Sequence, residues 1–260
     1  MMWFLIVFCI VQFVRAGPIT LESKKPIGEL GNYFEGDIIL SETQKKAILQ
    51  GNMDHRTGVP FEVERWSSNI LYYDFDNNIS AEDRQTIEET LNIMSKLSCI
   101  KFKRISENEI QDYVYITRIL SDGCYSEVGR QGGKQLLNLG DGCLKHATIE
   151  HEFLHALGFY HAQSAPNRDD YVTIHFENIR EDLEDNFEKI LNSDMLNLPY
   201  DYNSVMHYPE DAFSKNGLPT IEAKQSGVFI GQRIGMSELD IRRLNKLYKC
   251  PFGELNNQSE

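Results

Sequence analysis

One segment of the chain reads His151-Glu152-Phe153-Leu154-His155-Ala156-Leu157-Gly158-Phe159-Tyr160-His161. Side chains four positions apart lie on the same face of an α-helix, so His151 and His155 can bind one ion together. Gly158 can adopt the left-handed backbone conformation that ends such a helix and turns the chain back. The turn brings His161 round as a third ligand, and the segment therefore predicts a metal site on a helix.

The donor set of this segment is typical of a catalytic zinc site. Three histidines leave one coordination position open, whereas a structural zinc site has four protein ligands, and no fourth ligand is visible at a suitable spacing. Glu152 directly follows the first histidine, where it can act as a base. The plain alternative is a pair of core histidines, but the interposed glutamate, the glycine and the third histidine argue against it.

Length and composition allow one large domain or two small ones with an ample core, since the chain has 260 residues and 41% of them are hydrophobic. The formal net charge is −13, which argues against nucleic acid and against an anionic membrane surface as partners. The composition is otherwise that of an ordinary soluble globular protein.

Residues 1–16 have the features of a secretory signal peptide. An apolar run covers residues 3–14, interrupted only by Gln12, and it is too short to span a bilayer as an anchor. Residues 14–16 suit a signal peptidase, so cleavage is expected after Ala16. No second apolar segment is present, and we therefore expect a soluble, secreted product without a membrane anchor.

Cysteine usage agrees with export. Cys9 leaves with the signal peptide, and an even number of cysteines remains in an oxidising route, where disulfides are expected rather than free buried thiols. These are Cys99, Cys124, Cys143 and Cys250. Four cysteines allow three pairings, and the sequence alone does not choose between them. Acceptor triplets for N-glycosylation begin at Asn78 and Asn257.

Residues 17–56 are expected to be a pro-segment. They are polar, are broken by prolines and glycines, and have too few apolar residues to fold alone, although Ser41 can cap a short helix. Residues 51–56 are a candidate loop for proteolytic cleavage. We expect the folded domain to occupy residues 57–250 and a polar tail to occupy residues 251–260.

Hydrophobic periodicity and capping residues predict the other elements. Ser80 and Ser237 are typical N-caps, each followed three residues later by an aspartate. The predicted helices cover residues 80–97, residues from about 147 through the three-histidine segment, residues 177–188 on the surface, and residues 237–248. The predicted strands cover residues 70–75, 99–104, 112–118 and 171–174. Residues 123–143 are rich in glycine and are predicted to be loops; a phosphate-cradling loop is the alternative, but no lysine-bearing turn follows.

Together these motifs resemble the astacins, a family of metzincin zinc endopeptidases that are made as secreted zymogens. The likeness covers about residues 57–250. Residues 151–161 match the zinc motif, residues 204–208 match the Met-turn, residues 129–135 match the run before the zinc helix, and Arg168, Asp169 and Tyr171 match the segment after it. The resemblance implies an α+β fold. A twisted mixed sheet and the zinc helix would form the N-terminal half, and a mostly irregular C-terminal half would end in a helix across an active-site cleft.

The resemblance also implies the roles of the site residues. His151, His155 and His161 would bind zinc and Glu152 would be the general base. Tyr208 would move between the zinc and the transition-state oxyanion, while Met206 would lie beneath the metal as a hydrophobic floor. The implied disulfides join Cys99 to Cys250 and Cys124 to Cys143. By chain entropy the shorter loop contributes about 3 kcal/mol and the longer one somewhat over 4 kcal/mol, if neither is strained.

The family resemblance extends to latency. Phe34-Glu35-Gly36-Asp37 looks like the motif in which an aspartate occupies the open zinc position; a plain turn residue is the alternative for Asp37. Placing Trp66 on the early tryptophan of the family puts the mature start at Thr57. A trypsin-like protease would then cut after Arg56.

Two positions depart from the family pattern. Ala162 and Ala165 stand where astacins usually have a glutamate, which helps to anchor the new N-terminus, and an arginine. His146 lies five residues before His151, off its helical face, and is interpreted as a surface histidine.

We expect a monomeric, secreted zinc metalloendopeptidase with one zinc ion per chain that hydrolyses proteins or peptides. A catalytically silent, secreted binding protein of the same fold and a structural zinc domain are the alternatives.

Overall fold

The computed structural model describes residues 33–51, 65–105, 112–191 and 196–251. The expected signal peptide, the expected cut between Arg56 and Thr57, Asn257 and all but the first residue of the polar tail lie outside the described residues. Among the helices within those ranges, none is long and apolar enough to cross a bilayer.

A six-stranded mixed sheet forms the N-terminal half of the molecule. Its strands are β1 (Ile38–Ile39), β2 (Ile70–Phe75), β3 (Lys101–Arg104), β4 (Tyr113–Thr117), β5 (Cys124–Glu127) and β6 (Lys134–Leu139). They lie in the order β1-β5-β6-β4-β2-β3. The pairing of β5 with β6 is antiparallel and every other pair is parallel, so the mixed sheet predicted for this half is confirmed.

Within the described residues, four α-helices accompany this sheet. They are α1 (Glu42–Gly51), α2 (Ala81–Leu97), α3 (His146–Ala156) and α4 (Glu238–Leu247). The predicted cap of α2 is confirmed, because Asp83 N donates to Ser80 Oγ over 3.1 Å. At α4 both halves of the predicted capping box between Ser237 and Asp240 are present.

The main core joins these helices to the sheet. Its fully buried members include Ile87, Met94, Ile149, Phe153 and Leu244, contributed by α2, α3 and α4. Every residue of α3 from Ala147 onward is buried. A helix that is buried all round is held by packing on every side, which gives its side chains fixed directions.

The C-terminal half is mostly irregular, as predicted, and has its own smaller core. A two-stranded antiparallel sheet lies there, formed by β7 (Val172–Ile174) and β8 (Ile221–Ala223). Its core is built around Ile179, Phe187 and Phe213, which are almost fully buried. The chain then returns through α4 to the main core, so the first and last parts of the domain pack together.

The prediction of loops at residues 123–143 was wrong, because β5 and β6 lie in this region. A strand with one solvated face alternates apolar and polar residues, but β6 is buried at Gln135, Leu137, Asn138 and Leu139. The buried Asn138 side chain bonds Ile119, Gly123 and Thr117, so its polarity is satisfied inside the protein. Because β6 buries polar as well as apolar residues, its sequence lacks the alternation that predicts a strand.

The prediction of a surface helix at residues 177–188 was also wrong. The region contains two short 3-10 helices, Phe176–Asn178 and Glu184–Phe187, and Asp182 has a φ of 68°. Its backbone bonds the neighbouring segment, since Arg180 N donates to the carbonyl oxygen of Phe213 over 2.9 Å. Ile179 and Phe187 have helical spacing by coincidence, because both point into the second core.

Residues 33–51 pack against the edge of the main sheet. Strand β1 pairs with β5, and Ile38 and Leu40 pack on Val128 and Tyr160. Gln44, at the start of α1, donates from Nε2 to the carbonyl oxygen of Val128 over 2.8 Å. This segment therefore extends the sheet by one strand and covers apolar surface beside α3.

Candidate metal centre

Helix α3 places two imidazoles side by side at the centre of the molecule. His151 and His155 lie one turn apart, and their Nε2 atoms are 3.1 Å from each other. After Ala156 the chain turns at Gly158, whose φ of 106° is in the positive range that glycine adopts without strain. The turn brings His161 back to the centre, with its Nε2 3.2 Å from that of His151.

Asp37 completes this cluster from the other side. Its Oδ2 lies 3.2 Å from His151 Nε2 and 3.4 Å from His161 Nε2, and its Oδ1 lies 3.5 Å from His155 Nε2. One donor atom from each of the four residues lies within 4.8 Å of the others, and all four residues are buried. The structure thus brings together the three predicted histidines and the predicted aspartate, which are far apart in sequence.

The arrangement fits a zinc ion. Each imidazole can donate from Nδ1 to an oxygen: His151 to the carbonyl of Val205 (2.8 Å), His155 to the carbonyl of Phe159 (2.7 Å) and His161 to the carboxylate of Glu35 (2.7 Å). The three Nε2 atoms are then bare acceptors that face one another and a carboxylate, an arrangement that needs a cation between them.

Distances and donor type agree with that conclusion. Zinc–nitrogen bonds of about 2.0–2.1 Å in a tetrahedral site place the nitrogen atoms about 3.3 Å apart. Asp37 Oδ1 is buried and has no hydrogen-bond partner among the described residues. Three imidazoles and one carboxylate are a donor set that zinc accepts.

The ionisation of the cluster reflects its burial and its mixed charges. Burial lowers the pKa of His151 to about 3, which keeps this imidazole neutral and able to bind a metal. Burial would raise the pKa of Asp37, but the charge of His161 and the polar contacts with the three imidazoles hold it well below its usual range. Burial would lower the pKa of His161, but the charges and hydrogen bonds of Asp37 and Glu35 raise it to about 9.

Glu152 lies beside the cluster and is fully buried. Neither of its carboxylate oxygens has a hydrogen-bond partner among the described residues. Burial, and then the negative charge of Asp37, raise the pKa of the Glu152 carboxyl well above its usual range. A buried carboxyl group that the fold leaves unpaired beside a metal centre is characteristic of a group that handles protons.

The Met-turn at residues 204–208 supports the centre from below. Val205 is hydrogen-bonded on both sides, since its carbonyl oxygen accepts from His151 and its N–H donates to Asp240 of α4 over 2.8 Å. Met206 is buried and lines the same cavity as His161. The turn therefore connects a metal-facing imidazole to the last helix.

Tyr208, the last residue of this turn, packs against the third histidine. Its ring packs 4.7 Å from the ring of His161, and its hydroxyl donates to the carbonyl oxygen of Glu35. Its own N–H donates to Gln163 Oε1 over 3.1 Å, which fixes the backbone there. The phenol thus reaches the edge of the metal cluster and is held in place by residues 33–37.

Glu35 is a site residue that the sequence did not single out. Its carboxylate bonds His161 Nδ1 and Ser164 Oγ, and its carbonyl accepts from Tyr208. The motif at residues 34–37 pointed to Asp37 alone. The position of Glu35 in the sequence, next to Gly36, does not indicate which side chains it contacts in the folded protein. The only available signal was that Glu35 lies within the same four residues.

The other predicted positions can also be placed. Sulfur–sulfur bonds join Cys99 to Cys250 and Cys124 to Cys143, the pairs that the family resemblance implies. Asn78 is exposed.

His146 is exposed as well, and it begins α3 one residue earlier than predicted, with its Nδ1 2.7 Å from Thr90 Oγ1. Ala162 and Ala165 line a cavity together with Tyr200 and Asp240.

The fold and this centre define a zinc metallopeptidase. Comparison with known proteins gives the family. The model of the peptidase family described as Astacin matches residues 59–249. The chain belongs to the astacin family, a family of zinc metalloproteinases.

Two relatives from Caenorhabditis elegans show the extent of the similarity. Zinc metalloproteinase nas-4 is 39% identical over 231 residues, which cover 88% of this chain and 72% of that protein. Zinc metalloproteinase nas-13 is 43% identical over 229 residues, which cover 84% of this chain and 50% of that protein. The chain thus spans most of the first relative and half of the second.

Solved structures agree with this assignment. High choriolytic enzyme 1, a hatching enzyme zinc protease from Oryzias latipes, is 41% identical with a TM-score of 0.65, covering 72% of this chain and 94% of its own. Myroilysin is 18% identical with a TM-score of 0.53, covering 72% of this chain and 97% of its own, and shares the fold.

Proposed function

We propose that this chain is a secreted zinc endopeptidase that hydrolyses peptide bonds in proteins and peptides and is made as a latent zymogen. The observation that carries the proposal is the buried Glu152 carboxyl, without a hydrogen-bond partner among the described residues, beside three convergent imidazoles. A structural zinc site with four protein ligands does not need an unpaired carboxyl group. Hydrolysis, in contrast, requires a group that accepts a proton and returns it.

In the proposed mechanism, His151, His155 and His161 would hold the metal through Nε2, and their Nδ1 hydrogen bonds fix the ring orientations. Zinc, when bound, polarises a substrate carbonyl and lowers the pKa of a water molecule. Glu152 takes a proton from the attacking water and passes it to the departing amine.

Tyr208 has a second role in this mechanism. Its phenol donates a hydrogen bond to the carbonyl oxygen of the substrate as negative charge develops there.

Latency is proposed to rest on Asp37. Its carboxylate lies against all three imidazoles, so it would take the coordination position that a substrate or a water molecule needs. Strand β1 and the contacts of α1 hold it there. Removal of the segment up to Arg56 by a trypsin-like protease would open the site, and Thr57 would be the new N-terminus.

Export belongs to the same proposal. Two disulfides and an exposed Asn78 acceptor suit a secreted, glycosylated protein that loses residues 1–16 on export, and we propose that this protein is a monomer.

The role of Glu152 can be tested by Glu152→Gln in the activated chain. This variant keeps the shape of the side chain but cannot accept the proton, so hydrolysis of a fluorogenic peptide should fall by about a thousandfold or more while one zinc ion per chain remains bound. The matched control is Glu150→Gln on the same helix, whose Oε2 accepts from Met236 N and does not face the cluster. Hydrolysis by the Glu152→Gln chain within tenfold of the unchanged chain would overturn the assignment.

Latency can be tested separately with Asp37→Asn in a chain that also carries Arg56→Gln and stays uncut. A neutral amide is a weaker zinc ligand than a carboxylate, so this uncut chain should hydrolyse the peptide while its Asp37 parent does not. The control is Asp122→Asn, which alters a carboxylate that contacts the pro-segment at the hydroxyl of Tyr33 (3.3 Å). A chain that cuts no peptide after activation, yet still binds zinc, would support the silent binding protein instead.

A further inference from the structure

The three imidazoles of the metal centre differ in where their Nδ1 partners come from. His151 and His155 donate to carbonyl oxygens of Val205 and Phe159, which belong to the catalytic region. His161 donates to Glu35, which lies 126 residues earlier in the expected pro-segment. One of the three outer hydrogen bonds of the centre is therefore supplied by residues that leave on activation.

The contact of Glu35 with His161 is closely built. The Glu35 residue is 1% exposed, and its Oε2 lies 2.7 Å from His161 Nδ1. The other carboxylate oxygen accepts from Ser164 Oγ, so both oxygens have fixed partners. Because its two oxygens bond His161 and Ser164, the Glu35 carboxylate is held in one orientation. It therefore also holds the His161 ring with Nε2 toward the metal centre.

The backbone at Glu35 adopts an unfavourable conformation to hold the side chain in that orientation. Its φ is 48°, in the left-handed region that non-glycine residues seldom adopt, and Gly36 follows with a φ of 85°. A turn in which Gly36 N donates to the carbonyl oxygen of Tyr33 over 2.9 Å closes the loop. The same unusual turn places Glu35 on His161 and Asp37 on all three imidazoles.

We propose that Glu35 is a positioning residue for the third zinc ligand and strengthens zinc binding until the pro-segment is removed. A carboxylate on the outer nitrogen of a metal-bound histidine fixes the ring and increases its basicity, and loss of such a partner typically weakens metal binding about 10- to 100-fold. Asp37 would block the centre while Glu35 stabilises it. This proposal rests on the proposed zymogen function, because it assigns Glu35 to the latent form alone.

The test measures zinc affinity in the latent chain by competition with a fluorescent zinc chelator. Every variant carries Glu152→Gln, so that none can cleave itself. Glu35→Ala should raise the zinc dissociation constant about 10- to 100-fold, and Glu35→Gln, which keeps an acceptor without the charge, should give a smaller increase. The control is Gln44→Ala, which removes another buried hydrogen bond of the pro-segment, the one to the carbonyl oxygen of Val128. It should leave the constant within twofold.

A second readout separates positioning from general destabilisation. In the cobalt-substituted latent chain, the visible absorption bands report the ligand geometry, and they should change for Glu35→Ala and Glu35→Gln but not for Gln44→Ala. If the alanine variant does not fold, Glu35→Gln decides the question alone. Zinc constants of both Glu35 variants within twofold of the Gln44→Ala control, with unchanged cobalt spectra, would overturn the proposal.

The outcomes separate this proposal from the proposed function. Unchanged zinc affinity together with hydrolysis by the activated chain would remove the role of Glu35 and leave the endopeptidase standing. Weakened zinc binding in a chain that cuts no peptide after activation would keep Glu35 as a positioning residue of a non-catalytic centre.

Discussion

The Tyr208 hydroxyl has one partner in the latent arrangement and a different one in the proposed active arrangement. Its hydroxyl donates to the carbonyl oxygen of Glu35, so in this arrangement it is not available to a substrate. Its ring is fixed between His161 and Phe187, with ring centroids 4.7 and 5.9 Å away. The position of the ring is therefore set by packing, while the partner of the hydroxyl depends on residues 33–37.

Replacing Tyr208 by phenylalanine should slow catalysis in the activated chain and leave zinc content unchanged. Loss of one donor to a developing oxyanion costs about a hundredfold or more in kcat, which is the expected effect on peptide hydrolysis. Steady-state kinetics should show the loss in kcat rather than in KM.

The matched control for that variant is Tyr200→Phe. Its hydroxyl lies 2.7 Å from His207 Nε2 in the same half of the protein, and the change should cost about 1 kcal/mol of stability with little effect on kcat. Equal kinetic effects of the two variants would remove Tyr208 from the mechanism.

At the scale of single residues, the sequence predicted the ligands but not their outer partners. His151 and His155 share a helical face because of their spacing alone, and Gly158 marks the turn to His161. The partner of His161 lies 126 residues away, and nothing in a local pattern connects such distant positions. Glu35 could therefore be found only from the folded arrangement.

Helix α4 connects the end of the chain to the metal centre through one aspartate. Asp240 is buried; its Oδ1 accepts from Ser204 Oγ (2.6 Å) and its Oδ2 accepts from the N–H groups of Val205 (2.8 Å) and Ser237 (3.0 Å). The Val205 carbonyl in turn holds His151. The cap of a helix is thus also the anchor of the turn beneath the metal.

Asp240→Ala should destabilise the protein far more than loss of the helix cap alone. It leaves several buried donors without an acceptor, for which about 2–4 kcal/mol is expected, whereas Ser237→Ala should cost about 1 kcal/mol. Denaturant unfolding of the zinc-free chains measures both values. A cost for Asp240→Ala no greater than that for Ser237→Ala would show that the aspartate does not anchor the Met-turn.

At the scale of elements, capped and amphipathic helices were predictable, and elements defined by distant contacts were not. Ser80 and Ser237 mark the starts of α2 and α4 because capping is local chemistry. Strand β6 was missed because it buries Gln135 and Asn138, whose hydrogen bonds come from other segments. The false helix at residues 177–188 has apolar residues at helical spacing, but they face a core that only the fold creates.

At the scale of the whole molecule, the metal centre lies where three parts of the chain meet. Asp37 comes from the expected pro-segment, two histidines come from α3, and His161 comes from the turn after it. Within the Met-turn, Met206 belongs to the main core and Tyr208 to the second core, so the centre also lies between the two halves. A cation bound there would hold all of these parts together.

Removal of zinc should therefore loosen the pro-segment as well as the site. A metal ion that binds only the folded state adds RT ln(1 + [L]/Kd), or about 2.7 kcal/mol at a free concentration of 100 Kd, and part of this stabilisation acts through Asp37. In the uncut chain, a chelator should lower the unfolding temperature and speed amide exchange at residues 37–39. In that region the Ile38 amide is protected by its hydrogen bond to the carbonyl oxygen of Phe34, which is 2.9 Å long. Exchange in α2, which has no ligand, should change least.

The matched variant in that experiment is Asp37→Ala in the uncut chain with zinc present. Without its carboxylate the segment no longer bonds the metal, so its amides should already exchange fast and the chelator should add little, although the chelator should still lower the unfolding temperature through the three histidines. Hydrogen exchange followed by mass spectrometry distinguishes these cases segment by segment. If the chelator left exchange at residues 37–39 unchanged in the unaltered chain, the pro-segment would be held by β1 and α1 alone, and Asp37 would not be a zinc ligand.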